Sequence, residues 1–227
     1  MQDINEDENL AKMLRGELYY AFTPRLTEKR MRCHHACDRF NGAGEVDRRR
    51  LVELWRDILG DKTPLPAKAL TQEEDDKLFN NDPWVDGPIK VDYGINMKIG
   101  KGVYINFNCT FLDTCTITIG ARTLIGPNCS FFAASHPLDP FLRNGTQGPE
   151  LGAPITVGED CWFGGNVTVL AGVTIGRGST IGAGSVVTKD VPDFVVVAGN
   201  PARVLKKIEV NAPDPRLAIA EEDEAKS

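Results

Sequence analysis

Residues 157–191 read VGEDCWFGGNVTVLAGVTIGRGSTIGAGSVVTKDV, and this stretch decides the fold. An aliphatic or aromatic residue recurs every six positions, at Val157, Phe163, Val169, Ile175, Ile181 and Val187. Glycine often follows it, at Gly158, Gly164, Gly176 and Gly182. Four positions after each repeat start stands a small or β-branched residue: Cys161, Val167, Val173, Ser179, Ser185 and Val191. An α-helix cannot use this period, because about 3.6 residues per turn would smear the apolar positions around its surface. A short strand followed by a turn can. Three such units close a triangular coil of about 18 residues, and coils stack by backbone hydrogen bonding. The apolar residue and the small one are expected to point inward, and the glycine to serve a corner of unusual torsion.

The same register runs earlier in the chain. Ile99, Ile105, Phe111 and Ile117 are six apart, and after a two-residue offset the pattern restarts at Ile119, Ile125 and Phe131. Cys109, Cys115, Cys129 and Cys161 all occupy the small inward slot. Free cysteine packs as a small apolar residue, so these thiols read as core and not as disulfides or metal ligands. The pattern breaks once, over 132–154, where Pro137, Pro140, Pro149 and Pro154 alternate with Gly145, Gly148 and Gly152. That density argues against regular strand or helix and marks an excursion from the coil. A loop this long inside a compact repeat is usually functional. It carries His136, the only histidine in the repeat region.

Before the repeats, residues 8–60 read as helical. Met31, Cys37 and Phe40 give one apolar stripe over 28–40, with Thr27 as a plausible N-cap. Leu51, Leu54, Trp55 and Ile58 give another over 47–59, ending at Gly60. Cys33, His34, His35 and Cys37 invite a zinc reading, but the two cysteines share a helix face that the histidines do not, and no second pair completes a ligand set. The expected organisation is a helical cap over 8–66, a linker and first extended segment over 67–88, and a β-helix over 89–208 with its loop at 132–154. An acidic tail over 209–227 is expected to be disordered.

The 227 residues, 41% hydrophobic and 26% charged, fall in the range of a globular protein. A net charge of −6 argues against a nucleic-acid partner. No apolar run approaches the length needed to span a bilayer, and the polar start has no secretory character, so the expected compartment is the cytosol, with no membrane partner.

Several motifs together resemble the maltose and galactoside O-acetyltransferases. They are the hexad register, Ser135-His136-Pro137, Val187-Thr188-Lys189-Asp190, Gly199-Asn200-Pro201-Ala202-Arg203 and the N-terminal Met13-Leu14-Arg15-Gly16-Glu17-Leu18-Tyr19. The resemblance spans about residues 10 to 208. It implies a mainly β fold, a left-handed parallel β-helix with a small α-helical cap, assembled as a homotrimer with active sites between subunits. It also implies acetyl-CoA as co-substrate, a sugar as acceptor and no metal.

The resemblance carries roles onto particular residues. His136 matches the general base, a task for which imidazole is suited because its pKa lies near working pH. Asn106 lies near base and acceptor, and the Gly165 N–H is the candidate oxyanion donor. Asp92, Tyr104, Asn106, Asp113 and Glu150 match acceptor-side positions. Trp162, Gly165, Ala183, Thr188, Lys189, Arg203 and Lys206 match the acetyl-CoA side, where the bases can pair with phosphates. The galactoside branch has an acidic pair where this chain has Asp113-Thr114, and an aspartate where Ala21 stands, so a maltose or glucose type is favoured. Three alternatives are weighed beside it. The same fold could acetylate serine, an antibiotic or an amine, although serine acetyltransferases carry a longer helical N-terminal region and the antibiotic enzymes lack the cap. A zinc enzyme on this fold needs several histidines, and the repeats supply only His136. A non-catalytic assembly module leaves the His-Pro loop unexplained.

Overall fold

The computed structural model describes residues 4–214, so most of the expected acidic tail, including the acidic run at 221–224, lies outside the described residues. Three helices come first: α1 (Glu6–Arg15), α2 (Pro24–Asn41) and α3 (Arg48–Leu59). Helix α2 begins earlier than the stripe suggests. Thr23 is its N-cap and Pro24 its first residue, where a missing N–H costs nothing and the fixed φ already suits a helix. Helix α3 has the expected ends, with the Asp47 side chain accepting from Arg50 N and Gly60 in the left-handed region. A further short helix, α4 (Gln72–Lys77), lies in the stretch read as linker, started by a capping box between Thr71 and Glu74.

The rest is a left-handed parallel β-helix of about six coils. Its first face stacks β1 (Trp84–Val85), β4 (Tyr104–Ile105), β7 (Leu124–Ile125), β12 (Trp162–Phe163), β15 (Thr180–Ile181) and β17 (Val195–Ala198), closed by the antiparallel β18 (Arg203–Lys207). The second face holds β2 (Ile89–Val91), β5 (Cys109–Leu112), β8 (Ser130–Phe132), β13 (Thr168–Leu170) and β16 (Val186–Val187). The third holds β3 (Met97–Ile99), β6 (Ile117–Ile119), β11 (Ile155–Val157) and β14 (Thr174–Ile175).

The registers explain the hexads. Val157 pairs with Ile175, Phe163 with Ile181 and Val169 with Val187, so each apolar position meets its equivalent one coil later and all are buried. The second ladder includes Phe111 stacked on Phe131 at 5.0 Å, with Phe163 edge-on to Phe131 at 5.4 Å. All six cysteines are free and buried. The hydroxyls in the small slot are satisfied internally, Ser179 by Pro192 O at 2.7 Å and Thr123 by Gly158 O at 3.0 Å.

The glycines after the apolar residues serve stacking and not torsion. A Cβ on Gly158 would stand 2.6 Å from Arg177 N, and one on Gly164 2.7 Å from Ala183 N, because the next coil's backbone passes there. The left-handed torsion falls two residues later, at Asp160 and Asn166 for example, each with φ 59°.

The two-residue offset has a structural counterpart. Ile99 pairs with Ile119 and Phe111 with Phe131, so the early coils carry two residues more than the later ones. The surplus widens the corner between the second and third faces, at 92–96 and again at 113–116, and the excursion leaves from this same corner one coil on. Contrary to expectation the excursion is partly regular. Strands β9 (Ala134–Ser135) and β10 (Leu151–Gly152) pair antiparallel, and α5 (Pro140–Arg143) is capped by Asp139. Its prolines sit at a helix start and outside the two-residue ladder, where they cost little.

The cap closes the first coil. The Asn41 amide donates to Ile89 O at 2.9 Å and accepts from Ile89 N at 2.8 Å, imitating a neighbouring strand on the outer edge of β2.

Candidate active site

The wide corner is organised around Asp113. Its carboxylate accepts from Tyr93 N at 2.7 Å and Asn96 N at 3.2 Å, while Asn96 Nδ2 donates to Asp113 O at 2.7 Å. Asp113 is 0% exposed, and burial pushes its pKa up to about 6 against the lowering pull of those backbone N–H groups. Both oxygens hold the 92–96 turn, a structural use that stands beside the acceptor-side role expected for Asp113. Thr114 and Ala21 are buried as well, so neither position presents a carboxylate or an open side chain.

The cap roofs this corner. Arg32 donates to Asp57 O, Ile58 O and Tyr93 O at 2.6–2.8 Å, tying the end of α3 to the turn. Arg30 donates to the Tyr93 hydroxyl at 2.9 Å and lies over the rings of Phe22 (5.1 Å) and Tyr93 (5.6 Å). Burial pushes the Tyr93 hydroxyl up to about 12. Asp92 is partly exposed at the rim. Burial raises its pKa, opposed by Arg30 and by His34, whose Nε2 lies 3.7 Å away. Asp92 and His34 line a cavity of about 530 Å³ between α2 and the outer side of β2 and β5.

The excursion is fastened to the cap. Tyr19 N donates to Glu150 O at 2.9 Å, Glu150 N donates to Tyr19 O at 2.8 Å, and the Tyr19 hydroxyl donates to Glu150 Oε2 at 3.1 Å. A Cβ on Gly16 would stand 2.5 Å from Gly152 O, so the cap meets β10 at backbone contact. Ser135 pairs with Leu151, and His136 is the first residue beyond that ladder. Its ring is exposed, and it makes no hydrogen bond, ion pair or ring contact among the described residues.

The remaining candidates lie elsewhere on the prism. Asn106, Gly165 and Ala183 lie on the corner between the first and second faces. Gly165 and Ala183 are on adjacent coils joined by Gly184 N to Gly165 O at 2.9 Å, and Asn106 is two coils before Gly165. The Gly165 N–H has no partner among the described residues. Tyr104 and Trp162 point outward from the first face, the Tyr104 hydroxyl donating to Asp86 at 2.5 Å, which holds its pKa up at about 12. Lys189 and Arg203 meet at a cavity of about 250 Å³ near the last coil, with Thr188 on the turn before it and Lys206 on β18. The chain thus gathers Asp92 and Glu150 with the His136 loop, and Lys189 with Arg203. It does not bring Asn106, Gly165 or Ala183 to His136, because the whole width of the second face intervenes. Sequence reasoning missed Arg30 and Tyr93 and set His34 aside with the zinc reading, because no local spacing encodes their proximity to Asp92.

Known proteins share the cap and the coil. The maltose acetyltransferase hexapeptide capping motif matches residues 12–63, and a hexapeptide repeat of succinyl-transferase matches 154–189. A protein of Schizosaccharomyces pombe, named as an acetyltransferase, is 40% identical over 199 residues, 87% of this chain and 91% of that one. The chain belongs to the maltose and galactoside O-acetyltransferase family. A maltose O-acetyltransferase from Clostridium difficile 630 superimposes with a TM-score of 0.76 at 37% identity, covering 89% of this chain and 98% of that one. A galactoside acetyltransferase in complex with coenzyme A gives a TM-score of 0.75 at 33% identity, covering 93% and 98%. The protein is an acyltransferase. No helix among the described residues is long and apolar enough to cross a membrane, and none of their His, Cys, Asp and Glu side chains cluster as a metal site.

Proposed function

We propose that this acetyltransferase moves the acetyl group of acetyl-CoA to a hydroxyl of a sugar, of maltose or glucose type, with His136 as general base. The observation that carries the reading is an imidazole held at the end of a fastened ladder and left free of any internal partner. A structural histidine would be committed to a neighbour. The acceptor hydroxyl gives its proton to the imidazole as its oxygen attacks the thioester carbonyl carbon. The resulting oxyanion is met by the Gly165 N–H, and collapse of the tetrahedral intermediate expels the CoA thiolate, which takes the proton back. Asp92 and Glu150 orient the acceptor. Lys189 and Arg203 pair with CoA phosphates, and Trp162, Ala183, Thr188 and Lys206 line the rest of its path.

The division of these residues between two corners supports a site shared by neighbouring copies in a cytosolic homotrimer. Leu138 and Phe141 in the excursion are 94% and 91% exposed, and Trp162 is 56% exposed, apolar surface suited to a subunit contact. The absence of carboxylates at positions 21 and 114 supports the maltose or glucose type over galactosides. The test is thiol release from acetyl-CoA with glucose, maltose, galactosides and serine as acceptors. Turnover of glucose and maltose is expected, and turnover of serine alone would overturn the sugar reading.

A further inference from the structure

A cavity of about 660 Å³ opens between the cap segment 20–24 and the loop segment 146–148, within the range of sites that take one small ligand. Phe22 stands on its cap side, with Thr146 and Gln147 facing from the loop that carries His136. Phe22 is 58% exposed although its neighbours Ala21 and Thr23 are buried. Its backbone is held on both sides. Tyr20 N donates to the Asn9 side chain at 2.8 Å, and the Thr23 hydroxyl donates to Glu6 at 2.8 Å. The Arg30 guanidinium backs the ring at 5.1 Å, and Arg30 is fixed in turn by the Tyr93 hydroxyl. This is an immobilised aromatic that the fold does not bury. Leaving such a ring in water forgoes apolar burial, and rigidity lowers the entropic cost of putting a ligand against it.

We propose that this cavity is the subsite for the acceptor ring, with Phe22 as its stacking platform. The inference rests on the reading of the acceptor as a sugar and adds the residue that would select it. A pyranose offers a C–H face to an aromatic ring and hydroxyls around its edge, which the Gln147 amide and the Thr146 hydroxyl can meet. Glu6, which holds the Thr23 hydroxyl, lines the cavity beside Phe22, so the same wall carries an aromatic face and a carboxylate. The separation of the two walls is set by backbone. The Tyr19–Glu150 bridge lies three residues before Phe22 and two after Gly148, so the ring would be held beside the loop bearing the base. Glu6 is the one charged residue among the described residues lining the cavity, which favours a neutral polyol over a phosphorylated or acidic sugar.

The experiment is steady-state acetylation of glucose, maltose and an alkyl glucoside by the full chain and by Phe22→Ala and Phe22→Trp. The acceptor KM of Phe22→Ala is expected to rise about tenfold, the scale of one aromatic contact, with acetyl-CoA KM and Tm unchanged. Phe22→Trp is expected to restore the acceptor KM. An unchanged acceptor KM in an active Phe22→Ala enzyme overturns the platform alone. A rise confined to acetyl-CoA KM assigns the ring to the other substrate and overturns it too. A wild-type enzyme that acetylates no sugar removes the acceptor reading itself, and the platform with it.

Discussion

The two corners that flank the second face are built by opposite rules. Between the first and second faces, four consecutive coils turn in the same few residues, with a left-handed Asn108, Asn128, Asn166 or Gly184 at the same step. Between the second and third faces the turn changes length from coil to coil, and one coil inserts the whole excursion. Uniform turns give a straight edge with unobstructed backbone at Gly165 and Ala183, a track for an extended ligand. Unequal turns give an irregular wall that the cap can roof, as a pocket for a compact ligand requires. On the proposed reading the repeat supplies the cofactor side, and its interruption supplies the acceptor side.

The largest effect expected from breaking this comparison is at His136. His136→Ala should lower kcat by 10²–10⁴-fold, on the order of what general-base catalysis contributes, with Tm unchanged because the exposed ring makes no hydrogen bond or ion pair among the described residues. Asn106→Ala should be impaired from the other corner. Co-expressing the two variants should restore about a quarter of the wild-type rate if each site draws one corner from each copy. No recovery on mixing would show that a single chain holds both halves.

Asp113 tests whether the wide corner is a closed structural knot. Its folded pKa is raised, so below about pH 4 both folded and unfolded carboxyls are protonated and the group costs nothing. As pH rises toward about 6 the unfolded chain releases its proton while the folded one retains it, and stability falls by about 3 kcal/mol. Asp113→Asn removes this dependence. Its Tm deficit against wild type should be largest near pH 4 and shrink by pH 7, and a constant deficit would contradict the burial account.

A smaller effect tests the uniform corner. Gly164→Ala places a Cβ 2.7 Å from Ala183 N, where backbone cannot yield, and should cost about 1–3 kcal/mol by urea titration. Gly145→Ala, with nothing within 4 Å of its added Cβ, carries only the strain of its positive φ. The smallest effect is expected from Arg203→Ala. It should raise the acetyl-CoA KM about tenfold, with little change in acceptor KM, and the difference should shrink in high salt.

Much of this was readable in advance. The hexads named the inward ladders, and the slot shared by Cys109, Cys115, Cys129 and Cys161 named them as core, because a period belongs to one stretch of chain. The excursion was visible through its prolines, although β9, β10 and α5 were not, since two-residue pairing leaves no pattern. The convergence of Tyr93 N and Asn96 N on Asp113 left no local sign in the sequence. The Phe22–Arg30–Tyr93 stack was invisible for a similar reason: its members come from three separate segments.

By itself the sequence determined the coil, the direction in which each hexad side chain points, the place of the interruption and the presence of one histidine within it. These follow from periodicity and from the torsions glycine and proline allow, which depend on near neighbours in the chain. The tertiary structure alone decided which carboxylate is buried, which aromatic is left open, and that Asn106 and His136 stand on different corners of the chain. Such facts depend on which backbone groups and side chains meet after the coils have stacked and the cap has docked, and no run of residues encodes that meeting locally.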